Sequence, residues 1–558
     1  MRVRDKGKGH ISDYVEEVYG LEIDFFTKDN AGYIKSWKLS GPQCEVSGTS
    51  MDKLLKTLEY LKELYHLGYC ETKKKEISKN IVKTLLVYID NLNIIRGFFN
   101  KYITEDFNNY VIVNFIEFRD ISGWDETVHS ARDIAKKAEY LFNNLFLPES
   151  YVYQSVSQVP RKRIEKACND DTAKDIFPKK YHEYLSLRQS LFGGLVYIPY
   201  PNMVIEEPML ALDLTSAYIY SLLIEKHCVT PFKEVDTDNW EFYLDSKNVT
   251  SLGLYKISYT CWSNKIHVYK DIYDNNLEKG GHTVIINLNN IDLKLLISMC
   301  TVVNIECLDL QEAKLDYLPK YLLDKIVEEY IKKEETTGED HVIQKRAVNS
   351  IYGGTIMKIN DESTFIYKRK TASLAPQWGI WTTSYTKKLL LTYALKCEGW
   401  YMSMTDSVYC LDTPKNRELL KEFNDNIRKN ILNFCGLFGY DYSKLKNLGT
   451  FKVEAEIKKF KAFRAGAYCY TKKDNSMVVK ASACDKENIE LNDDLYKDTY
   501  VLPTGSRRFP MFNPDTTECE VDGVKYKSEG SYYEIVTKSN VETEVATAIY
   551  LTLKKGIS

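Results

Sequence analysis

The sequence predicts a multidomain chain, α/β in its N-terminal part and α+β beyond it. Three observations carry that prediction. The 558 residues suffice for three or four compact units of about 150 residues each. The N-terminal stretch alternates strand-like and helix-like patterns. Residues 225–325 then alternate apolar and polar side chains, as in GLYKISYTCW and HTVIINLNN, before a helical period takes over.

Taken in order, Tyr19–Phe26 reads as a strand and Met51–Leu67 as a long amphipathic helix. Thr84–Ile89 and Tyr110–Phe118 read as strands, and Ala131–Leu145 as helical. The basic run Val159–Lys166 leads into the polar ACNDDTAKD, which places a linker or boundary near residues 165–190. Gly193–Gly194, with Pro199 and Pro201, opens a second region. A β-rich insertion follows, residues 318–351 are helical in period, and the last third mixes strands with short helices.

Composition excludes several classes. Apolar residues make up 44% and charged residues 27%, too apolar for a disordered chain. No apolar run approaches the roughly 18–20 residues that span a bilayer, and the charged N-terminus lacks the apolar core of a signal peptide. Thirteen cysteines, odd in number and without a C-x-x-C, read as reduced thiols in a cytoplasm, with no structural zinc. At a net charge of −3, any DNA-binding surface has to be local.

Three segments carry chemistry. In MLALDLTSAYIYSLL (209–223) an apolar run ends at Asp213, a carboxylate placed to face a cleft and hold a hard cation or to open the following helix. In IQKRAVNSIYGG (343–354) helical spacing puts Lys345, Asn349 and Tyr352 on one face and Ile343, Ala347, Val348 and Ile351 on another, with Gly353–Gly354 as a stop. That polar face suits a triphosphate, a base edge and a stacked base, or is merely solvated. In GWYMSMTDSVYC (399–410) a strand pattern is broken by Thr405-Asp406-Ser407, which is hairpin chemistry presenting Asp406 at a turn.

In this order the three segments resemble family B DNA polymerases. Motif A of that family, D-x-x-S-L-Y-P, appears as Asp213-Leu214-Thr215-Ser216-Ala217-Tyr218. Motif B, K-x-x-x-N-S-x-Y-G, is matched throughout by Lys345, Asn349, Ser350, Tyr352 and Gly353. Motif C, Y-x-D-T-D-S, keeps Thr405, Asp406 and Ser407 but has Met404 for its first aspartate and Met402 for its tyrosine. Motifs A and B lie 132 positions apart, and a β-rich insertion there resembles the terminal-protein region of protein-primed polymerases from small linear-genome phages and plasmids. Leu191-Phe192-Gly193-Gly194 is similar to the Y-x-G-G motif, and Lys461-Ala462-Phe463 to the K-x-Y motif at the primer end.

The resemblance implies an RNase H-like exonuclease-type domain (1–187), followed by a right-hand polymerase. The palm would begin at 188–224 with motif A, the terminal-protein-type insertion would span 225–317, and the fingers with motif B 318–360. The palm would resume at 361–498 with motif C, and 499–558 would form the thumb. It further implies two Mg2+ or Mn2+ ions held by Asp213, Asp406 and the Leu214 carbonyl, and a triphosphate neutralised by Lys345, which with the two aspartates makes the catalytic set. Asn349, Tyr218 and Tyr352 would bind the nucleotide, with Tyr218 excluding a 2′-hydroxyl. Lys461, Phe463, Gly193, Gly194, Ser350, Gly353 and Thr405 would contact DNA, helped by Lys458, Lys459, Phe460 and Arg464.

Implied partners are template-primer DNA, dNTPs and a priming terminal protein, for a monomer in the cytoplasm, of the host cell if viral. Two other readings stay open: a polymerase-shaped nucleic-acid-binding module, favoured by Met404, and a polymerase primed by nucleic acid. Relatives that unwind DNA carry a longer hairpin where this chain has only 22 residues between Gly353 and Pro376. Weak strand displacement is expected, unless a short Glu362–Tyr367 ribbon suffices.

The family's exonuclease motifs are eroded. D-F-E-T appears as Asp24-Phe25-Phe26-Thr27, and N-L-x-F-D-G resembles Asn91–Gly97 with Ile95 at the aspartate. Y-x-x-x-D best matches His129–Asp133, which keeps the acid and loses the tyrosine. Asp24 and Asp133 remain as vestiges, and two carboxylates do not make a two-ion site, so proofreading is expected to be lost or crippled. A register shift that recruits Glu22 or Asp90 is the alternative.

Overall fold

The structure is a computed structural model. It describes residues 15–28, 31–41, 45–49, 51–64, 84–89, 113–117, 131–132, 158–198, 200–260, 282–299, 301–464, 466–481, 489–498, 500 and 502, with short strands between 506 and 538. The chain forms two compact units. One comprises 1–159, 338–347 and 506–539; the other comprises 160–337, 348–505 and 540–558.

In the first unit, β1 (Val15–Lys28), β2 (Ala31–Ser40) and β3 (Glu45–Gly48) form an antiparallel meander. Next come α1 (Met51–Leu64), β4 (Thr84–Ile89) and β5 (Val113–Glu117), and β4 and β5 run parallel to β1. The order β3-β2-β1-β4-β5 follows from those pairings. Leu21 faces Leu39 and Ile23 faces Trp37 across β1 and β2, and Leu21, Leu39 and Trp37 are buried. On α1, Leu54, Leu58 and Leu61 recur at i, i+4 and i+7 and are buried, as the amphipathic period requires.

Two strands from the segment expected as a thumb, Pro510–Asn513 and Gly530–Glu534, join this same sheet, the latter beside β2. They occupy an edge that would otherwise leave backbone groups unpaired. Of the exonuclease motifs, Asn91–Gly97 and Asp133 lie outside the described residues.

The second unit opens within α2 (Gln158–Ala167), followed by α3 (Thr172–Ile176) and α4 (Tyr181–Gln189). This is where a linker or boundary was expected. Ile164, Ala173, Ile176, Tyr184 and Leu187 are buried, so the polar composition hid a packed face. After β6 (Leu195–Tyr197), β7 (Val204–Ile205) and β8 (Met209–Leu214) comes α5 (Ala217–Ile224). The β-rich insertion is then a five-stranded antiparallel sheet of β9 (His227–Cys228), β10 (Lys233–Glu234), β11 (Val249–Thr260), β12 (His282–Asn289) and β13 (Thr301–Asp316). Helix α6 (Asn290–Met299) packs on it through Leu293 and Leu296.

Helices α7 (Lys320–Glu335), α8 (Gly338–Thr355), α9 (Glu362–Lys370) and α10 (Pro376–Ala394) follow. Two local expectations fail here. The glycines do not stop α8, which runs through both to Thr355, and Glu362–Tyr367 is helical rather than a ribbon. The Asp361 side chain accepts from the Thr364 amide at 2.8 Å, an N-cap that favours helix over strand. A buried ion pair ties the insertion to α10: Lys387 Nζ lies 2.7 Å from Asp292, and Ser384 Oγ donates to the same carboxylate at 2.7 Å.

The last elements are β14 (Met402–Thr405), β15 (Ser407–Leu411), α11 (Pro414–Phe438), β16 (Phe451–Arg464), β17 (Ala467–Lys472) and β18 (Met477–Ala481). The main sheet has the order β18-β17-β16-β8-β15-β14-β6, with β7 on β16. One face buries Leu210, Leu212 and Leu214 with Leu390 and Tyr393. The other buries Met209 and Ala211 with Tyr409, Ile457 and Phe460. Covered on both faces, β8 reads as a continuous apolar run. Among the described residues no helix is long and apolar enough to cross a membrane.

Candidate active site

β8 is buried from Met209 to Leu212 and emerges at Asp213, which is half-buried. Alternation puts Asp213 on the face of Met209 and Ala211. Opposite it, β15 begins at Ser407, and the Leu214 amide donates to the Asp406 carbonyl at 2.9 Å. Residues far apart in sequence thus bring the two aspartates to neighbouring strand ends. Burial first, with Glu454, Asp213 and Asp406 adding, raises the Tyr468 hydroxyl above its ordinary value. That ring senses both carboxylates.

The turns beside both aspartates are strained. Among the described residues, the non-glycine positions with positive φ are Asn202, Asn475, Ser216 (51°) and Thr405 (61°). Asparagine tolerates this region; a β-branched threonine does not. Thr405 precedes Asp406, whose amide donates to the Met404 carbonyl at 2.7 Å, and Ser216 closes the turn after Asp213. Strain held at a turn by its surroundings marks functional sites.

Gly194 makes the turn possible: a Cβ there would lie 2.9 Å from Thr405 Cγ2 and 3.0 Å from the Tyr218 hydroxyl. Tyr218 stacks on Tyr352, with ring centroids 4.1 Å apart at 18°. The Tyr352 hydroxyl lies 2.7 Å from Thr383 Oγ1. Burial above all, then Tyr352 and Asp406, pushes the Tyr218 hydroxyl well above its ordinary value, so it stays protonated. Burial also raises Tyr352.

On α8, Ile343, Ala347, Val348 and Ile351 are buried, whereas Lys345 and Asn349 are exposed, as the period predicts. Ser350 and Tyr352 are half-buried, and Gly353 faces open space. Lys345 belongs to the first unit, and Asn349, Ser350, Tyr352 and Gly353 to the second. Gly193 also faces open space.

The K-x-Y-like segment differs from its expected role. Lys461 is fully buried, its ammonium donating to the Leu495 and Lys497 carbonyls at 3.2 and 2.7 Å, 4.9 Å from the Phe463 ring. Burial lowers its pKa. It therefore braces the 495–497 segment rather than presenting a charge to a phosphate. Phe463 is buried as well. Lys458 donates to Asn475, and Lys459 pairs with Glu206 at 3.2 Å and lies over the Tyr496 ring.

Other residues were missed by sequence reasoning. Lys333, buried on α7, donates to Ser216 Oγ at 3.0 Å and pairs with Glu334 at 2.6 Å. The run KKEE around it reads as a solvated face, and nothing else in the sequence singles it out. Arg188 on α4 donates to the Ile356 carbonyl, fixing the exit of the helix that carries Tyr352.

Among the described residues no group of three or more His, Cys, Asp and Glu side chains could hold a metal ion. Two half-buried carboxylates beside open backbone suit a cation that draws its remaining ligands from water and phosphate, as Mg2+ does. In the first unit, Asp24 is exposed and lies 3.6 Å from Lys35, while the Glu22 carboxylate accepts from the Ala131 amide at 3.2 Å.

No protein-family model and no curated protein matches the chain. Solved structures do. Phi29 DNA polymerase complexed with primer-template DNA and incoming nucleotide substrates has a TM-score of 0.61 at 13% identity, covering 92% of this chain and 99% of that one. Its post-translocation binary complex with primer-template DNA gives 0.62 at 12% identity, covering 94% and 100%. The complex with single-stranded DNA gives 0.60 at 12% identity, covering 93% and 100%. The chain has the fold of Phi29 DNA polymerase, as the motif resemblance implied.

Proposed function

We propose that this protein is a DNA-directed DNA polymerase that extends a primer on a DNA template with dNTPs. One observation carries the reading: Asp213 and Asp406 meet at adjacent strand ends beside the Tyr218–Tyr352 stack. In the reaction the primer 3′-oxygen bonds to the α-phosphorus, the bond to the bridging oxygen breaks, and pyrophosphate leaves. Two divalent ions, held when bound by Asp213, Asp406 and the Leu214 carbonyl, supply Lewis-acid activation and neutralise developing charge.

The protein's own groups do the positioning. Lys345, and Lys333 through its hold on the motif A turn, offset charge on the triphosphate. Asn349 and Tyr352 receive the base, and Tyr218 excludes a 2′-hydroxyl. Gly193, Gly194, Ser350, Gly353 and Thr405 contact DNA, and Lys461 and Phe463 shape that surface from within.

Synthesis begins on a terminal protein, at the service of a linear viral or plasmid genome. The five-stranded sheet inserted between motifs A and B supports this, because protein-primed relatives carry their terminal-protein region there. The order β3-β2-β1-β4-β5 supports an RNase H-like N-terminal domain, whose proofreading is lost or crippled. The protein acts as a monomer in a cytoplasm. With helix α9 where relatives have a hairpin, it displaces strands weakly, and long products on a primed circle without helicase would contradict that.

Primer extension with Mg2+ tests the reading. Template-directed incorporation that Met404→Asp retains or raises is expected, and its absence from the wild type would sink it. Transfer of a nucleotide to a partner protein's hydroxyl distinguishes protein priming from nucleic-acid priming.

A further inference from the structure

The turn that follows Asp213 is bonded on two sides. On one, the Leu214 amide donates to the Asp406 carbonyl. On the other, the Gly449 amide donates to the Thr215 carbonyl at 2.7 Å, and the Thr215 amide to the Thr450 carbonyl at 2.9 Å. Gly449 has a φ of 71°, and a Cβ there would lie 2.3 Å from the Tyr220 ring, so glycine lets the segment approach this closely. The chain then enters β16, with Phe451 in register with Leu214 and Lys452 with Asp213.

At this end β16 lacks a second neighbour. β17 joins it at Ile457 and β7 at Phe460, so among the described residues no strand pairs with its outer edge at Phe451. A side chain takes that place. Asn424 Nδ2 donates to the Phe451 carbonyl at 3.0 Å, and the Phe451 amide donates to Asn424 Oδ1 at 2.8 Å. These are the two bonds that a paired antiparallel strand would make. Asn424 is half-buried on α11, between Phe423 and Ile427, which hold the helix to the core. Asparagine weakens a helix interior because its amide competes for nearby backbone groups; this amide is turned to a strand instead. Further along α11, Asn430 Nδ2 donates to the Tyr220 hydroxyl at 3.3 Å, so the helix reaches elements on both flanks of the turn.

The same helix supplies its own control. Asn416, fully buried, makes the same kind of clamp. Its Nδ2 donates to the Glu398 and Leu411 carbonyls at 2.9 and 2.7 Å, and the Glu398 amide donates to its Oδ1 at 2.8 Å. Leu411 is the last residue of β15, whereas Asp406 precedes its first. One clamp therefore serves the end of the sheet that bears the aspartates, and the other serves the opposite end. We propose that Asn424 is a positioning residue for nucleotide incorporation. By completing the edge of β16 at Phe451 it fixes Gly449 and Thr450, and through them the turn from Leu214 to Ser216. The proposal rests on the polymerase reading, in which that turn presents Asp213 and the Leu214 carbonyl to the reacting groups. A shift of about 1 Å in such groups can slow the reaction about a hundredfold even when its origin is remote.

The test is single-turnover incorporation of one dNTP on a primer–template with Mg2+, for the full chain and for Asn424→Leu, Asn424→Asp and Asn416→Ala. Maximal rate and dNTP affinity are read separately, primer–template affinity by fluorescence anisotropy, and folding by thermal unfolding. Asn424→Leu removes both bonds and should lower the maximal rate at least roughly tenfold. Its dNTP and primer–template affinities should stay within about twofold of wild type, the split expected when an interaction acts on the transition state alone. Asn424→Asp keeps the acceptor for the Phe451 amide and should fall between Asn424→Leu and the wild type. Asn416→Ala should lower the unfolding temperature while its maximal rate stays within about twofold. A wild-type rate in Asn424→Leu, or an equal loss in Asn416→Ala, would overturn the proposal and leave Asn424 a structural clamp. Should Asn424→Leu show no cooperative unfolding, Asn424→Asp decides, and a wild-type rate there overturns the proposal. A wild type that incorporates nothing would overturn the polymerase reading and this proposal with it.

Discussion

Asp213 and Asp24 each lie on a strand flanked by two others, yet their surroundings differ. β8 stops one residue after Asp213, and the next amide reaches the Asp406 carbonyl, so a second carboxylate arrives from a segment nearly two hundred residues away. β1 continues past Asp24 to Lys28, and Asp24 stands 54% exposed near Lys35. Asp213 is half-buried at a strand end, next to the strained turns at Ser216 and Thr405. An aspartate in mid-strand, with a lysine nearby and water around it, is screened. The difference lies in where each strand ends and in what tertiary structure places opposite each residue, since the residue type is the same.

The widest gap should appear in catalysis. Asp213→Ala or Asp406→Ala should each reduce nucleotide incorporation by at least about a thousandfold in single-turnover extension. Asp24→Ala should leave it within about twofold. Wild-type extension by Asp406→Ala would break the comparison. So would stepwise 3′ trimming of a labelled single strand that vanishes in Asp24→Ala.

Stability should separate buried from exposed carboxylates in the same way. Asp292→Ala leaves Lys387 buried without its partner and should cost about 3–5 kcal/mol in urea unfolding. The exposed Asp24–Lys35 pair should contribute about 1 kcal/mol or less. Equal losses at the two positions would mean that burial is not the deciding variable.

Burial also sets a pH response. His227, fully buried, is held down to about 4 from an ordinary 6.5 by desolvation. It is neutral when folded, so below pH 6.5 the unfolded chain binds the extra proton. The His227 contribution is complete above pH 6.5 and is lost as pH falls toward 4, by about 3 kcal/mol in total. The difference in unfolding free energy between pH 7 and pH 5 should shrink in His227→Phe. An unchanged difference would show that other groups carry the acid response.

The smallest effect sharpens the site itself. Shortening Tyr218 to Val removes the stack on Tyr352 and, on the proposed reading, opens room for a 2′-hydroxyl. The ratio of ribonucleotide to deoxynucleotide specificity constants should rise roughly tenfold. An unchanged ratio would return Tyr218 to the core.

Short-range features were legible in the sequence because their causes are local. The strand Thr84–Ile89, the hairpin around Thr405–Ser407 and the two faces of α8 follow from side-chain period and turn chemistry alone. Motif order was enough to pair Asp213 with Asp406 and to imply the fold. Near 165–190, where the sequence reads as a linker or boundary, the chain forms packed helices, because a polar composition conceals buried positions such as Ile176 and Tyr184, spaced too irregularly to read.

Tertiary structure alone decided the direction of Lys461 and Lys333 and the partners of the strand edges. Lys461 turns inward because carbonyls at Leu495 and Lys497, more than thirty residues on, satisfy its ammonium. Lys333 reaches Ser216 across more than a hundred residues. The strands at 510–513 and 530–534 complete a sheet begun near residue 15. Period and propensity specify which residues can form an element. Which buried donor meets which acceptor depends on the three-dimensional packing of segments distant in sequence, because an unsatisfied polar group in the interior costs too much to leave in place.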